Sequence, residues 1–395
     1  MTTVLPAQAW TALPAGAALL EALDAAAGTT RLVGGAVRDG LLGLVCSDID
    51  LATRLTPDEV MQRLRSAGLK AVPTGIAHGT ITAVGAGLVA EITTLRRDVH
   101  SFGRHAEVAF TGDWREDAAR RDFTINALYA DMPGGDVHDY WGGIADLAAR
   151  RVRFIGDPQQ RIAEDHLRIL RFFRFSARFA AQIDGDGLAA CTARANDLMA
   201  LSRERIAMEL RLLLGLANPV PMLAVMLDSG IFRPVLPELD AARLSVLART
   251  IAAEAALPAL PKSWERRLAA LLLPADPRAA EVTARLKLSN PERARIAAAV
   301  QPTDAPPYYP AAWRDSAAAV IDRLLIAGDP DAARPLIGWQ RPRLPASGKD
   351  IIARGVPPGP EVAARLGVFE RAWVAAGFPG DTGVIAAMLD AAAQG

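Results

Sequence analysis

The chain has 395 residues, 51% hydrophobic and 22% charged, with 44 basic and 44 acidic side chains. That length exceeds one ordinary domain and implies about two to four, and the composition excludes a disordered chain. Balanced global charge leaves any polyanionic partner to local patches, and only two cysteines, Cys46 and Cys191, exclude a disulfide framework or a zinc-finger module.

The N-terminal stretch MTTVLPAQAW lacks a basic n-region, so no signal peptide is expected. The uncharged, strongly apolar stretch Leu212 to Leu227 contains Asn218, Pro219 and Pro221 and falls short of a bilayer span. A soluble, cytoplasmic chain with no membrane contact is expected.

Over residues 1–150, β-prone runs (31-RLVGG, 48-DIDLAT, 80-TITAV, 88-LVAEITT) alternate with helical ones (36-AVRDGLLG, 57-PDEVMQRLRSAG). After Arg150 the character changes. The stretch 158-PQQRIAEDHLRILRFFRFSARFAAQ has apolar residues at three- and four-residue intervals and reads as one long helix, with Pro158 in its first turn. Ala-, Leu- and Arg-rich helices follow to the C-terminus, separated by turns such as 233-RPVLPELD and 356-VPPGP. The expected fold is α+β: a mixed head over 1–150, a helical neck over 151–215 and an all-helical remainder over 216–395.

The run 48-DIDLAT places Asp48 and Asp50 two positions apart, hence on one face of a strand. Their mutual repulsion calls for positive charge, and hard oxygen ligands with nothing softer nearby suit Mg²⁺. Alone, the tripeptide also fits a solvent-facing strand with merely solvated acids. Upstream, 32-LVGGAVRDGLLG ends a β-prone run in Gly34-Gly35 and opens a helix, a turn whose N–H groups face an anion, with Arg38 one turn on. Paired glycines by themselves just make a turn. Strand, Gly-Gly, helix and strand with DxD together form the arrangement of the nucleotidyltransferase superfamily that includes DNA polymerase β. In 120-RRDFTINALY, Arg120, Arg121 and Asp122 precede a β-prone run, reading either as a phosphate grip or as a surface charge cluster.

Together with 73-PTGIAHGTITAV, 91-EITTLRRDV, 139-DYWGGIADL and 161-RIAEDHLRILRFFRFSARF, these stretches resemble the class II (bacterial-type) CCA-adding enzymes, the tRNA nucleotidyltransferases, and their poly(A) polymerase relatives. The resemblance implies a polymerase-β-like nucleotidyltransferase head, then a helical neck, body and tail that bind tRNA. It implies Mg²⁺ on Asp48 and Asp50, nucleotide contacts from Gly35, Arg38 and Arg121, and base selection by Asp165, Arg168, Arg171 and Arg174. Glu91, on a neighbouring strand, is a further candidate to approach the metal. The implied reaction is template-independent addition or repair of the tRNA 3′-terminal CCA from CTP and ATP, releasing pyrophosphate. The charged segment 95–114 corresponds to a flexible loop in that family. A poly(A) polymerase and a catalytically inactive RNA-binding protein are the alternatives. All five histidines precede residue 170, which excludes a C-terminal HD-type phosphohydrolase domain.

The neck motif has a physical reading of its own. Asp165 and Arg168, three apart on a helix, share a face and offer one acceptor and one donor group. Cytosine and adenine present an amino donor beside a ring acceptor, whereas uracil and guanine present the reverse order. Such a pair satisfies C or A and leaves unpaired groups against U or G. A plain surface ion pair is the other reading. Residues 151–180 hold seven arginines against three acids, and Arg168, Arg171, Arg174 and Arg178 fall on one helical side.

Overall fold

The computed structural model describes residues 3–45, 48–102, 105–272, 278–303 and 305–394. Cys46 lies outside these; Cys191 is buried and free. The chain divides into two compact units, residues 1–202 with 228–235, and residues 203–227 with 236–395.

The first unit is built on a mixed sheet. Its strands are β1 (Thr30–Val33), β2 (Ile49–Thr53), β3 (Lys70–Gly75), β4 (Thr80–Gly85), β5 (Leu88–Thr94), β8 (Leu128–Ala130) and β9 (Val137–Asp139), in spatial order β3-β4-β5-β2-β1-β8-β9. Among the described residues only β2 and β5 pair in parallel; every other pair in this sheet is antiparallel. Along β5, buried Leu88, Ala90, Ile92 and Thr94 alternate with exposed Val89 and Glu91 and half-buried Thr93, the period of a sheet with one covered face. The helix Pro57–Ser66 packs on β3, β4 and β5 through Val60 and Leu64. Its start is fixed by a capping box in which Thr56 N–H donates to Glu59 Oε2 at 2.8 Å and Glu59 N–H to Thr56 Oγ1 at 3.4 Å.

Within segment 95–114, β6 (Arg96–Phe102) and β7 (His105–Phe110) pair antiparallel, with Arg96 opposite Phe110; residues 103–104 lie outside those described. Two local expectations change. The run after Arg121 is not strand throughout. Thr124–Asn126 make a 3₁₀ turn, because Thr124 Oγ1 donates to Asp146 Oδ2 at 2.6 Å and Asn126 is bound on both sides, and only Leu128–Ala130 join the sheet.

The long helix expected from Pro158 is two helices, Pro158–Glu164 and Leu167–Phe179. Asp165 breaks it with an extended backbone (φ −149°, ψ 106°), and its Oδ1 accepts the Leu167 N–H at 3.1 Å. Asp165 and Arg168 therefore do not share one helix; Asp165 sits at the joint.

Leu167–Phe179 is amphipathic. Phe172, Phe173, Phe175 and Phe179 are buried, with Phe172 stacked on Phe154 at 5.4 Å and Phe175 edge-on to Phe123 at 5.5 Å. This aromatic cluster fastens the helix within the first unit and turns its arginines the other way.

The second unit is helical. Val320, Leu324, Leu325 and Leu336 form one apolar cluster, and Trp313, Phe369, Trp373 and Leu389 another. Buried Arg266 and Arg267 are neutralised by Glu254 and Asp322 at 2.7 Å. No helix of the described residues is long and apolar enough to cross a membrane.

Candidate active site

A cleft of about 530 Å³ lies wholly within the first unit. Gly35, Arg38, Asp48, Asp50, Arg121, Asp165, Arg168, Arg171 and Arg174 all border it, as do Gly34, Arg120, Asp122, Asn126, Phe175 and Arg178. Seven arginines against four aspartates make it an electropositive basin with an acidic edge.

At that edge, Asp50 lies in β2 and Asp48 immediately before it. Asp50 faces Glu91 across the parallel β2–β5 pair. Burial, then Glu91 and Asp48, push the Asp50 carboxyl up to about 6, against the pull of Arg121. Among the described residues no group of three or more His, Cys, Asp or Glu could hold a metal ion.

The glycine pair follows β1 directly. Gly34 adopts φ 70° and ψ −125°, a conformation open to glycine alone, and Gly35 opens the helix Gly35–Leu41. A Cβ on Gly34 would lie 3.5 Å from Arg121 Nη1, and one on Gly35 3.4 Å from Arg38 Nη2. Two guanidinium groups thus flank a turn in which Gly34 is buried and Gly35 half-buried.

Each is held by hydrogen bonds to neighbouring side chains. Arg121 donates from Nε to the Tyr129 hydroxyl and from Nη2 to Asp117 Oδ2, both at 3.1 Å, and Tyr129 donates to the same Asp117 oxygen at 2.6 Å. Burial works against the Asp117 charge, but Arg121, Arg120 and Tyr129 outweigh it and hold that carboxyl at about 2. Arg38, 4% exposed, donates to Asp39 at 2.8 Å and to Asn126 Oδ1, and lies over the Phe179 ring at 4.3 Å. Burial draws its pKa below the ordinary value, opposed by Asp39.

In the same cleft, Arg168 is fixed by three acceptors: Glu164 Oε2 at 2.5 Å, Arg161 O at 2.9 Å and Arg120 O at 2.8 Å. Arg171 donates from Nε to Asp122 Oδ2 at 2.7 Å. Phe175 carries the guanidinium of Arg174 at 4.3 Å and that of Arg171 at 5.3 Å.

Glu164, Asp117, Tyr129, Asp39 and Asn126 orient the arginines, and sequence reasoning gave none of them a role. Asn126 had one available signal, a carboxamide four positions after Asp122 in a run whose other polar member is Thr124. Asp39 lies next to Arg38 in sequence, and nothing local shows that it also reaches Arg178, at 3.1 Å.

Residues 30–153 match the poly A polymerase head domain, and residues 182–243 the family described as a probable RNA and SrmB-binding site of polymerase A. The chain is 33% identical over 369 residues to the mitochondrial CCA tRNA nucleotidyltransferase 1 of Mus musculus, covering 88% of this chain and 83% of that protein. It is 30% identical over 392 residues to a CCA-adding enzyme of Levilactobacillus brevis, covering 94% and 96%. Its fold matches the crystal structure of the Bacillus stearothermophilus CCA-adding enzyme in complex with CTP, with a TM-score of 0.75 and 26% identity over 96% of this chain and 98% of that one. The Arg-lined cleft beside paired carboxylates is carried on a chain that belongs to the CCA-adding tRNA nucleotidyltransferase family.

Proposed function

We propose that this chain adds or repairs the 3′-terminal CCA of tRNA, taking CTP and ATP in one cleft and releasing pyrophosphate. The observation that carries the reading is the meeting, in a single cleft, of the carboxylates of Asp48 and Asp50, the glycine turn with its two arginines, and the Asp165–Arg168 joint. The family supports tRNA as the acceptor, and the relatives named for CCA addition favour it over a poly(A) polymerase.

Asp48 and Asp50 fit Mg²⁺: both offer hard oxygen donors, and the raised Asp50 pKa marks a concentration of negative charge that a divalent ion relieves. Two protein carboxylates leave the remaining positions to water and phosphate oxygens, the usual arrangement for this ion. Bound there, Mg²⁺ would supply a lowered hydroxyl pKa and neutralisation of phosphate charge.

The remaining work falls to the chain's own residues. The Gly34–Gly35 turn, Arg38 and Arg121 hold the triphosphate, and their pre-set guanidinium groups meet the charge that builds on the leaving pyrophosphate. The tRNA 3′-oxygen forms its bond to the α-phosphorus as the bond to pyrophosphate breaks, and the hydroxyl proton is lost. Asp165 accepts from the amino group of cytosine or adenine, and Arg168 donates to the neighbouring ring nitrogen. Because Arg168 is locked by Glu164 and two carbonyls, it cannot swing to satisfy uracil or guanine. Cytoplasm, where tRNA, CTP and ATP are all present, is the proposed place of action.

The test is incubation of tRNA lacking its 3′ CCA with each labelled nucleoside triphosphate. Incorporation of C and then A supports the proposal. Extended runs of A, or no incorporation, overturn it.

A further inference from the structure

Asn126 borders the cleft yet is nine-tenths buried, and its carboxamide is engaged at both ends. Oδ1 accepts from Arg38 Nη1, and Nδ2 donates to Asp122 Oδ1 at 3.1 Å. The other Asp122 oxygen accepts from Arg171 Nε at 2.7 Å. An unbroken chain, Arg38–Asn126–Asp122–Arg171, therefore runs from the glycine turn to the helix Leu167–Phe179, which carries Arg168. The direction of the amide is unambiguous, since a guanidinium only donates and a carboxylate only accepts.

A primary amide suits this place because it is neutral and offers one acceptor and one donor side by side. Aspartate would set a second negative charge against Asp122, and an apolar residue would leave an Arg38 N–H and an Asp122 oxygen without these bonds. Arg38 has a second tie to the same helix, because its partner Asp39 also accepts from Arg178 Nη2 at 3.1 Å. The phosphate side and the base side of the cleft are thus one hydrogen-bonded body.

We infer that Asn126 is a positioning residue that couples triphosphate capture to base selection: a triphosphate drawing on Arg38 fixes, through Asn126 and Asp122, the setting of Arg171 and of the helix that presents Arg168. This rests on the nucleotide-binding reading of the cleft. A base without its triphosphate is then discriminated less sharply than the whole nucleotide, by a factor on the order of 5 to 150.

The experiment measures kcat and KM for CTP and for UTP on tRNA lacking CCA, with the wild type, Asn126→Ala and Asn126→Asp, and with tripolyphosphate as inhibitor. Both variants should lower the CTP:UTP ratio of kcat/KM about tenfold and weaken inhibition by tripolyphosphate. Adding Asp122→Asn to Asn126→Asp restores one donor and one acceptor between the two positions and should recover part of the ratio. A role in packing alone would depress CTP and UTP use in equal proportion, and an unchanged ratio overturns the coupling. A second measurement needs no variant: in the wild type, tripolyphosphate should tighten cytidine binding more than uridine binding, and independent binding contradicts the inference. A wild type that adds neither C nor A refutes the proposed function itself, whereas normal CCA addition with an unchanged ratio in the variants refutes only the coupling.

Discussion

Arg168 donates to the carbonyl oxygen of Arg120 at 2.8 Å, which ties the helix Leu167–Phe179 to the residue directly before Arg121. Arg171, three residues on, repeats the link through Asp122, two residues after Arg120. The segment Arg120–Asp122 is therefore tied to the helix, and the spacing between the groups proposed to hold phosphate and those proposed to read the base is set by short, charge-assisted bonds.

On the proposed reading, Arg168→Ala removes the donor set against the ring nitrogen while leaving Arg38 and Arg121 in place. The preference for CTP over UTP should fall by about 10- to 100-fold, the scale of one unpaired buried polar group. The affinity for tripolyphosphate should change by less than about threefold. Steady-state kinetics with all four nucleotides reads both, and unchanged selectivity would remove Arg168 from base reading.

Asp50→Asn separates function from stability. A carboxyl whose folded pKa is raised contributes stability that is full below its unfolded value near 3.8 and lost as pH rises through about 6. At pH 7 the ionised Asp50 thus costs the metal-free protein about 2 kcal/mol, allowing for its partial exposure. Without Mg²⁺ the Asn variant should melt higher than the wild type at pH 7 and much the same at pH 4. Its nucleotide incorporation should fall by about 10³-fold or more. Mg²⁺ should raise the wild-type melting temperature above pH 6 and lose that effect at lower pH, as protons compete for Asp50. Scanning calorimetry across pH, with and without Mg²⁺, checks each part.

Asp117 shows the opposite sign. Its folded pKa of about 2 lies below the ordinary 3.8, so the stability it contributes is present above 3.8 and is lost as pH falls towards 2. Asp117→Asn should cost about 2 kcal/mol at pH 7 and almost nothing at pH 2. It should also raise KM for both nucleotides alike, because Arg121 loses its anchor. Denaturant melts at the two pH values, with KM for CTP and ATP, decide this.

Gly34→Ala tests the turn. At φ 70° any side chain strains the backbone by about 1–3 kcal/mol. The added methyl would meet Arg121 Nη1 and the Asn126 carbonyl oxygen only at 3.5 Å, so strain outweighs crowding. Nucleotide KM should rise with little change in the choice of base. A loss confined to base selectivity would contradict the assignment of this turn to phosphate.

Much of the head was legible because its signals are local. Strands β1, β2, β4 and β5 follow from short β-prone runs, and the Gly-Gly turn from the glycines between a strand and a helix. The break at Asp165 was not legible, because Ile162, Ile169 and Phe173, seven and four residues apart, keep helical spacing straight through it. What stabilises the break is tertiary: Arg168 binds the Arg161 carbonyl at 2.9 Å, and Arg161 in turn binds the Ala119 carbonyl at 2.7 Å. The same holds for the groups that aim the arginines. Asp122 and Arg171 are 49 residues apart, and no periodicity brings such a pair together. Residue types at the site could be read from the sequence, whereas the partners that orient them follow from the fold.

A crystal structure of this protein with CTP tests the nucleotide assignment of the cleft most directly. The expected result is a triphosphate against Gly34, Gly35, Arg38 and Arg121, with the cytosine N4 and N3 within hydrogen-bond distance of Asp165 and Arg168. A nucleotide bound with its triphosphate remote from Asp48 and Asp50, or with its base edge turned away from Asp165 and Arg168, would contradict it.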